Sequence, residues 1–253
     1  MLTALYVPGD RPDRFDKAAA SGADAVILDL EDSVAPARRD AAREHVTTWL
    51  ASARDVDAQV RIGSLDDLAG LPADVSIRLP KVETPSDVDA VGERDVHAIV
   101  ESALGVENAF AVASHPRVVS LGLGEADLTA DVGITDESAL AWIRVRIVVA
   151  ARAAGLAAPM MSAYTDVADL DGLAASCAIG RRLGMVGRAA IHPRQLPVIE
   201  AAFAPAEEEL AWAKQVLAAL DGAAAGVAVL PSGAMVDAAM ARRARSLLAR
   251  AGR

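Results

Sequence analysis

Two carboxylates frame the chemistry open to this chain. Glu101 follows the apolar run 97–100, and Asp127 follows 118–123 in Gly-Leu-Gly-Glu-Ala-Asp. An acid leaving a buried strand is costly unless something pairs with it. Hard oxygens from two neighbouring strand ends, with positions left for water and substrate, form a seat for Mg²⁺ or Mn²⁺. The bland alternative is that such acids pair with rim arginines. Glu125 is the weaker candidate ligand: an extended segment would aim it with Asp127, and a turn would not.

Arg61, at the end of 59–62, is expected to hold its guanidinium over the same rim, where it offers a planar fork to a carboxylate or enolate oxygen. A salt bridge to Glu31 or Asp32 is compatible with that role, because a neighbouring acid orients the fork. Lys81 as a Schiff-base lysine would need a depressed pKa, and nearby acids such as Glu83 oppose it. His192, in Ile-His-Pro, reads as a base, a ligand or a hydrogen-bonded structural histidine. Arg14 and Lys17 lie one turn apart on a first helix, and Arg38, Arg39 and Arg43 cluster at the start of a second. Each group would meet an anionic nucleotide handle or form a solvated helix face.

Positioning such residues calls for a strand-and-helix frame. Short β-type runs fall at 4–7, 25–29, 59–62, 76–79, 97–100, 118–123, 159–162 and 188–191, alternating with Ala-rich amphipathic segments such as 13–21, 40–51 and 136–154. This alternation predicts an α/β fold, a (β/α)₈ TIM barrel rather than an open doubly wound sheet. No complete Gly-x-Gly-x-x-Gly opens the first helix. The strand interiors read as nearly all apolar. The charges collect at the carboxyl ends: Asp10 and Arg11; Asp29, Glu31 and Asp32; Arg61; Lys81 and Glu83; Glu101; Glu125 and Asp127; His192. One charged rim fed by several strand ends is where such a barrel builds its site.

The expected domains are a catalytic barrel over 1–204 and a C-terminal extension over 205–253. The extension reads as a helix at 205–220, a linker at 221–226, an apolar piece at 227–230 and a last helix at 236–250. An apolar tail on a finished barrel is expected to pack on a neighbouring subunit. The chain has 253 residues, 53% hydrophobic and 3% aromatic, with a net charge of −10, a balance that argues against a nucleic-acid surface. Its one cysteine, Cys177, excludes an internal disulfide and a cysteine zinc site. Arg144 and Arg146 break the apolar stretch at 143–149, short of a membrane span. The opening Met-Leu-Thr-Ala-Leu-Tyr lacks the pattern of a signal peptide, so a soluble, cytoplasmic protein is expected.

Seven motifs, in order, resemble the citrate lyase β-subunit-like family. They are Tyr-Val-Pro-Gly-Asp-Arg-Pro-Asp-Arg-Phe-Asp-Lys-Ala (6–18), Val-Ile-Leu-Asp-Leu-Glu-Asp-Ser-Val (26–34), Val-Arg-Ile (60–62), Leu-Pro-Lys-Val-Glu (79–83), Gly-Leu-Gly-Glu-Ala-Asp-Leu (122–128), Ala-Ile-His-Pro-Arg-Gln (190–195) and Ala-Met-Val-Asp (234–237). The wider group includes malyl-CoA and citramalyl-CoA lyases and metal-dependent pyruvate aldolases. The resemblance implies a Mg²⁺-dependent carbon–carbon lyase that splits a short 3-hydroxyacyl-CoA into an acyl-CoA and a 2-oxo acid through an enolate. It implies Glu101 and Asp127 as metal ligands, Arg61 as the substrate and enolate contact, and Asp237 as an acid/base group reaching a neighbouring active site. Arg14, Lys17 and His192 would bind substrate or CoA, with Asp29, Glu31, Asp32 and Lys81 in support.

It also implies a homotrimer or hexamer, with citrate lyase partner subunits a further option. The chain departs from the family pattern at Leu2-Thr3 (usually Arg-Ser), at Gly63 (usually Asn) and at 231–234, where an Asp-Gly-Lys usually precedes Met. Loss of Asn and Lys removes two polar contacts near the expected ligand. That keeps two alternatives open: an aldolase acting on free 2-oxo acids, and a non-catalytic acyl-CoA-binding or assembly subunit.

Overall fold

Seven apolar runs pair edge to edge, all parallel: β1 (Thr3–Pro8), β2 (Ala25–Asp29), β3 (Asp57–Arg61), β4 (Ser76–Leu79), β5 (Val96–Val100), β6 (Val118–Leu123) and β7 (Arg188–Ala190). Their order, β6-β5-β4-β3-β2-β1-β7, gives one curled sheet in an α/β fold. The computed structural model describes residues 1–52, 56–221 and 226–251. The run expected as a strand at 159–162 is not a regular strand. Met160 makes a single parallel bridge to Gly122 of β6, and Met161 makes one to Arg188 of β7. Pro159 cannot donate to a ladder, which shortens what this segment is able to pair.

Helices join most of the strands, α1 (Phe15–Ala19), α2 (Arg39–Leu50), α3 (Pro85–Asp89), α4 (Ala103–Ala113), α5 (Glu125–Val132), α6 (Leu140–Ala153) and α7 (Leu170–Arg182); a 3₁₀ turn, Leu65–Leu68, lies between β3 and β4, and α8 (Leu196–Phe203) follows β7. Local chemistry starts them. Ser102 Oγ accepts from the Gly105 N–H at the head of α4, and Asp169 does the same for Gly172 at the head of α7. The segment expected as one helix at 13–21 is a 3₁₀ turn, Pro12–Arg14, leading into α1. The one expected at 136–154 likewise opens with a 3₁₀ turn, Glu137–Ala139, where Asp136 accepts from the Ser138 N–H.

β2 is buried along its whole length, as a central strand covered on both faces must be. The main core lies between sheet and helices, where Leu28, Val60, Ile77 and Leu121 meet Val46, Val106, Ile147 and Leu173. Truncating one of these, such as Leu28, to Ala costs about 2–5 kcal/mol. The opposite face is thinner, with Ala4, Ala25 and Ile27 packed by Tyr6 and Met160. The expectation of apolar strand interiors fails there. Gln59, Arg78 and Arg188 are buried within β3, β4 and β7, because alternate strand residues face inward, away from the helices.

Residues Met1–Phe203 form one compact unit and Ala204–Arg253 a second. In the second, α9 (Glu207–Asp221) and α10 (Ala238–Ala251) pack on a two-stranded antiparallel ribbon of β8 (Ala228–Val229) and β9 (Met235–Val236). Ala213, Val216, Leu230, Val236, Ala244 and Leu247 make its core. The expected linker, 221–226, falls mostly on 222–225, outside the described residues. Among the described residues no helix is long and apolar enough to cross a membrane.

Candidate active site

The carboxyl ends of β2 to β6 carry one connected charge network. Asp29 and Arg61 end neighbouring strands in direct register, so their side chains meet. Arg61 Nε and Nη2 donate to the two Asp29 oxygens at 2.6 and 2.7 Å, the two-pronged geometry a guanidinium favours. Its Nη1 reaches Asp32 Oδ2 at 3.1 Å and Glu31 Oε2 at 3.2 Å, and its Cζ lies 4.9 Å from the Tyr6 ring centre. Burial alone would push the Asp29 carboxyl up, yet the Arg61 bonds hold it below the usual carboxylate range. Burial works against the Arg61 charge as well, and the Asp29 bonds outweigh it and raise its pKa further. Both groups are therefore charged at any physiological pH.

Glu31 carries the network onward. Its Oε1 accepts from Lys81 Nζ at 3.0 Å, and the Lys81 backbone N–H donates to Glu101 Oε1 at 2.7 Å. Lys81 has φ +56°, the one positive φ outside glycine among the described residues. For a long side chain that region costs about 1–3 kcal/mol, and here it turns the N–H toward Glu101. The bond to Glu31 raises the Lys81 pKa, so the amine stays protonated, as the sequence led us to expect.

Glu101 is the most perturbed acid of the group. Burial pushes its carboxyl up to about 7; the Lys81 N–H opposes this, and the charges of Glu31 and Asp127 add to it. Its other oxygen faces Gly124, where a Cβ would collide with Oε2, so only glycine lets β6 leave the sheet this close to the carboxylate. Asp127 is exposed in the first turn of α5. That turn also settles Glu125. The pair stands on a helix rather than on an extended exit, and Glu125 turns away to Arg144, which grips it at 2.7 and 2.8 Å.

The donor set suits a hard divalent cation. Glu101 and Asp127 offer carboxylate oxygens, and the excess negative charge around Glu101 is of the kind a cation neutralises. Among the described residues no three His, Cys, Asp or Glu side chains gather at metal-holding spacing. An ion here would rest on these two carboxylates and fill its shell with water and ligand, as Mg²⁺ readily does.

The other expected residues lie apart from this network. His192 caps a 3₁₀ turn, its Nδ1 accepting from the Arg194 N–H at 3.2 Å. Arg14 and Lys17 are exposed at the start of the chain's first helical stretch. Arg38 pairs with Asp10, and Arg43 with Asp67 and Asp40, so these arginines serve the protein's own acids rather than standing free. Asp237, in the second unit, caps α10, accepting from the N–H groups of Ala239 and Met240 at 2.8 and 3.1 Å. Sequence reasoning missed Arg144, although it shares the apolar face of α6 with Leu140, Ile143 and Ile147. A charge on a buried stripe is the signal that would have found it.

A parallel α/β sheet with a carboxylate-rich mouth defines a class of metal-assisted barrel-like enzymes. Within that class the chain belongs to the HpcH/HpaI aldolase/citrate lyase family, whose model matches residues 2–193. It is 35% identical to the (3S)-malyl-CoA thioesterase of Cereibacter sphaeroides (strain ATCC 17025 / ATH 2.4.3) over 98% of this chain and 94% of that protein. Against the L-malyl-CoA/beta-methylmalyl-CoA lyase of Rhodobacter capsulatus the identity is 32%, over 98% and 93%. The crystal structure of CitE from Mycobacterium tuberculosis in complex with magnesium, acetoacetate and coenzyme A superposes with a TM-score of 0.88 at 34% identity, covering 100% of this chain and 98% of that one.

Proposed function

We propose that this chain is a Mg²⁺-dependent carbon–carbon lyase that interconverts a short 3-hydroxyacyl-CoA with an acyl-CoA and a 2-oxo acid. The observation that carries this reading is Glu101, a buried carboxyl raised to about 7 beside Asp127 and tied through Lys81 and Glu31 to Arg61. Relatives named for malyl-CoA chemistry, and a neighbour complexed with magnesium, acetoacetate and coenzyme A, support it.

When bound, the cation supplies Lewis acidity toward the 2-oxo acid's oxygens. Glu101 and Asp127 hold it, and Lys81 fixes the Glu101 oxygen through its backbone N–H. In the cleavage direction a base takes the proton from the 3-hydroxyl. The carbon–carbon electron pair then moves onto the acyl fragment as a thioester enolate, which is finally protonated at carbon. Arg61, fixed by Asp29, donates to the enolate oxygen, a pre-oriented positive charge aimed where negative charge develops.

Asp237 is the proposed proton carrier, brought to the mouth of a neighbouring subunit by the 205–253 extension in a homotrimer. Arg14 and Lys17 are proposed to meet the CoA phosphates, with His192 at the rim. The reading also takes 1–204 as an eight-stranded barrel, closed through residues 160–161, and the two single bridges there support it.

The relative named a thioesterase favours a second reading, in which the thioester is hydrolysed after or instead of cleavage. A mass-spectrometric screen of acetyl-CoA and propionyl-CoA against glyoxylate, pyruvate and oxaloacetate, with and without Mg²⁺, tests both. New 3-hydroxyacyl-CoA formed only with Mg²⁺ supports the lyase, and free CoA released from that product supports hydrolysis. Condensation of free 2-oxo acids without CoA would replace both with an aldolase. No turnover on any pair would leave a binding protein.

A further inference from the structure

The buried stripe of α6 contains one charge. Arg144 stands there only 2% exposed, among Leu140, Ile143 and Ile147. Taking a guanidinium out of water is expensive, and an apolar residue of similar volume often serves a fold as well or better. What Arg144 holds is specific. Its Nε and Nη2 donate to the two Glu125 oxygens at 2.7 and 2.8 Å, a fork that fixes direction as well as distance. Its contact with Glu137, an acid mostly in water, is slacker at 3.4 Å.

Glu125 opens α5, the eight-residue helix whose first turn also carries Asp127. That helix begins without a side-chain cap, because its N-cap residue is Gly124. Among the described residues, three directional ties to other elements hold it instead. The Gly124 N–H donates to Val100 O, at the end of β5, at 2.9 Å. Asp131, in the last turn, accepts from the Ala103 N–H, at the start of α4, at 2.7 Å. Both of these run to the stretch that contains Glu101, and two points leave a body free to roll about the line between them. Arg144, on a different helix, supplies the third point. Leu128 is fully buried beneath α5, but apolar contact is non-directional. Asp127 is exposed and makes no hydrogen bond or ion pair among the described residues, so the attitude of the turn is what aims its carboxylate.

We propose that Arg144 is a positioning residue of the cation site: its grip on Glu125 sets the roll of α5 and so keeps the Asp127 carboxylate turned toward Glu101. This role rests on the reading of Glu101 and Asp127 as the seat of Mg²⁺. Arg144 touches neither the cation nor the substrate, and its loss loosens the seat rather than emptying it. The same fork keeps Glu125 occupied, which leaves the ion two protein carboxylates and open positions for water and the 2-oxo acid. Partners that orient a metal's ligands typically account for ten- to hundredfold in affinity.

Replacing the pair as a unit separates aiming from folding. Glu125→Met combined with Arg144→Met removes both charges and keeps apolar bulk. Without metal, the double variant should melt at or above the wild-type temperature. Calorimetric titration of the full chain with Mg²⁺ should nonetheless show binding weaker by about ten- to hundredfold. Arg144→Lys keeps the charge without the fork and should fall between the two. Glu137→Gln leaves the fork intact and should bind Mg²⁺ as the wild type does. Wild-type affinity in the double variant or in Arg144→Lys overturns the proposal, as does a loss in Glu137→Gln equal to that of the double variant. Weaker binding accompanied by a lower melting temperature in the double variant would make the pair a part of the fold alone, and overturns it as well. A wild type that binds no Mg²⁺ is a different result, because it removes the seat itself and the lyase reading with it.

Discussion

The two sides of the mouth are built on opposite electrostatic plans. On the β2–β3 side, Arg61 is matched by Asp29, Glu31 and Asp32, with every bond short and most of the group out of water. On the β5–β6 side, Glu101 and Asp127 face Glu31 with only Lys81 in partial compensation. On the first side the acids hold the Arg61 guanidinium in one fixed orientation. The second carries unrelieved repulsion, which is what makes it receptive to a cation. Uncompensated charge, rather than the number of ion pairs, marks the side where chemistry is expected.

The largest test of this contrast removes one charge from the unbalanced side. Glu101→Gln and Asp127→Asn should each lower Mg²⁺-dependent turnover by about 10³-fold, measured as kcat with a magnesium titration. Glu101→Gln should at the same time raise the metal-free melting temperature, because it relieves repulsion with Glu31 and Asp127. A variant that melts lower and turns over normally would erase the distinction between the two sides.

The balanced side should respond in the opposite sense. Arg61→Met leaves Asp29 buried without its partner and should cost about 3 kcal/mol of stability, read from denaturant unfolding, as well as turnover. Within β5, His97 sharpens the picture through pH. Its pKa is about 3 in the fold and about 6.5 unfolded. The unfolded chain therefore binds the extra proton first, and stability present above pH 6.5 is lost as the pH falls toward 3. By pH 5 the loss is about 2 kcal/mol, and His97→Gln should flatten that part of the unfolding profile.

The smallest effect on stability is expected outside both sides. Asparagine caps a helix as well as aspartate does. Asp237→Asn should therefore leave the melting temperature unchanged, while Asp237→Ala costs about 1 kcal/mol. If both variants lose turnover equally, the carboxylate rather than the cap is what the reaction needs.

Much of this was legible in one dimension. The apolar runs gave six of the strands nearly to the residue, because a buried parallel strand is built mostly of apolar residues. The acids that follow them had to lie at one rim, because parallel strands all end on the same side. Lys81 keeping its proton and Arg61 being oriented by acids also followed from neighbours in sequence. Pairings across long separations did not. That Glu125 belongs to Arg144, that Lys81 adopts a positive φ to reach Glu101, and that Gly124 is needed for Glu101 rather than for a turn all depend on how strands and helices stack.

The polar residues inside the strands, Gln59, Arg78, His97 and Ser120, were hidden for a related reason. Each residue sits alone in an apolar run, and a single polar residue carries no sign of which face it will take or what lies one strand over. Sequence by itself settled which chemical groups the chain holds and at which ends of its strands they emerge. Only the tertiary structure decided which of those charges are balanced, because charge balance depends on distances between residues 20 to 50 positions apart, which register and packing alone determine.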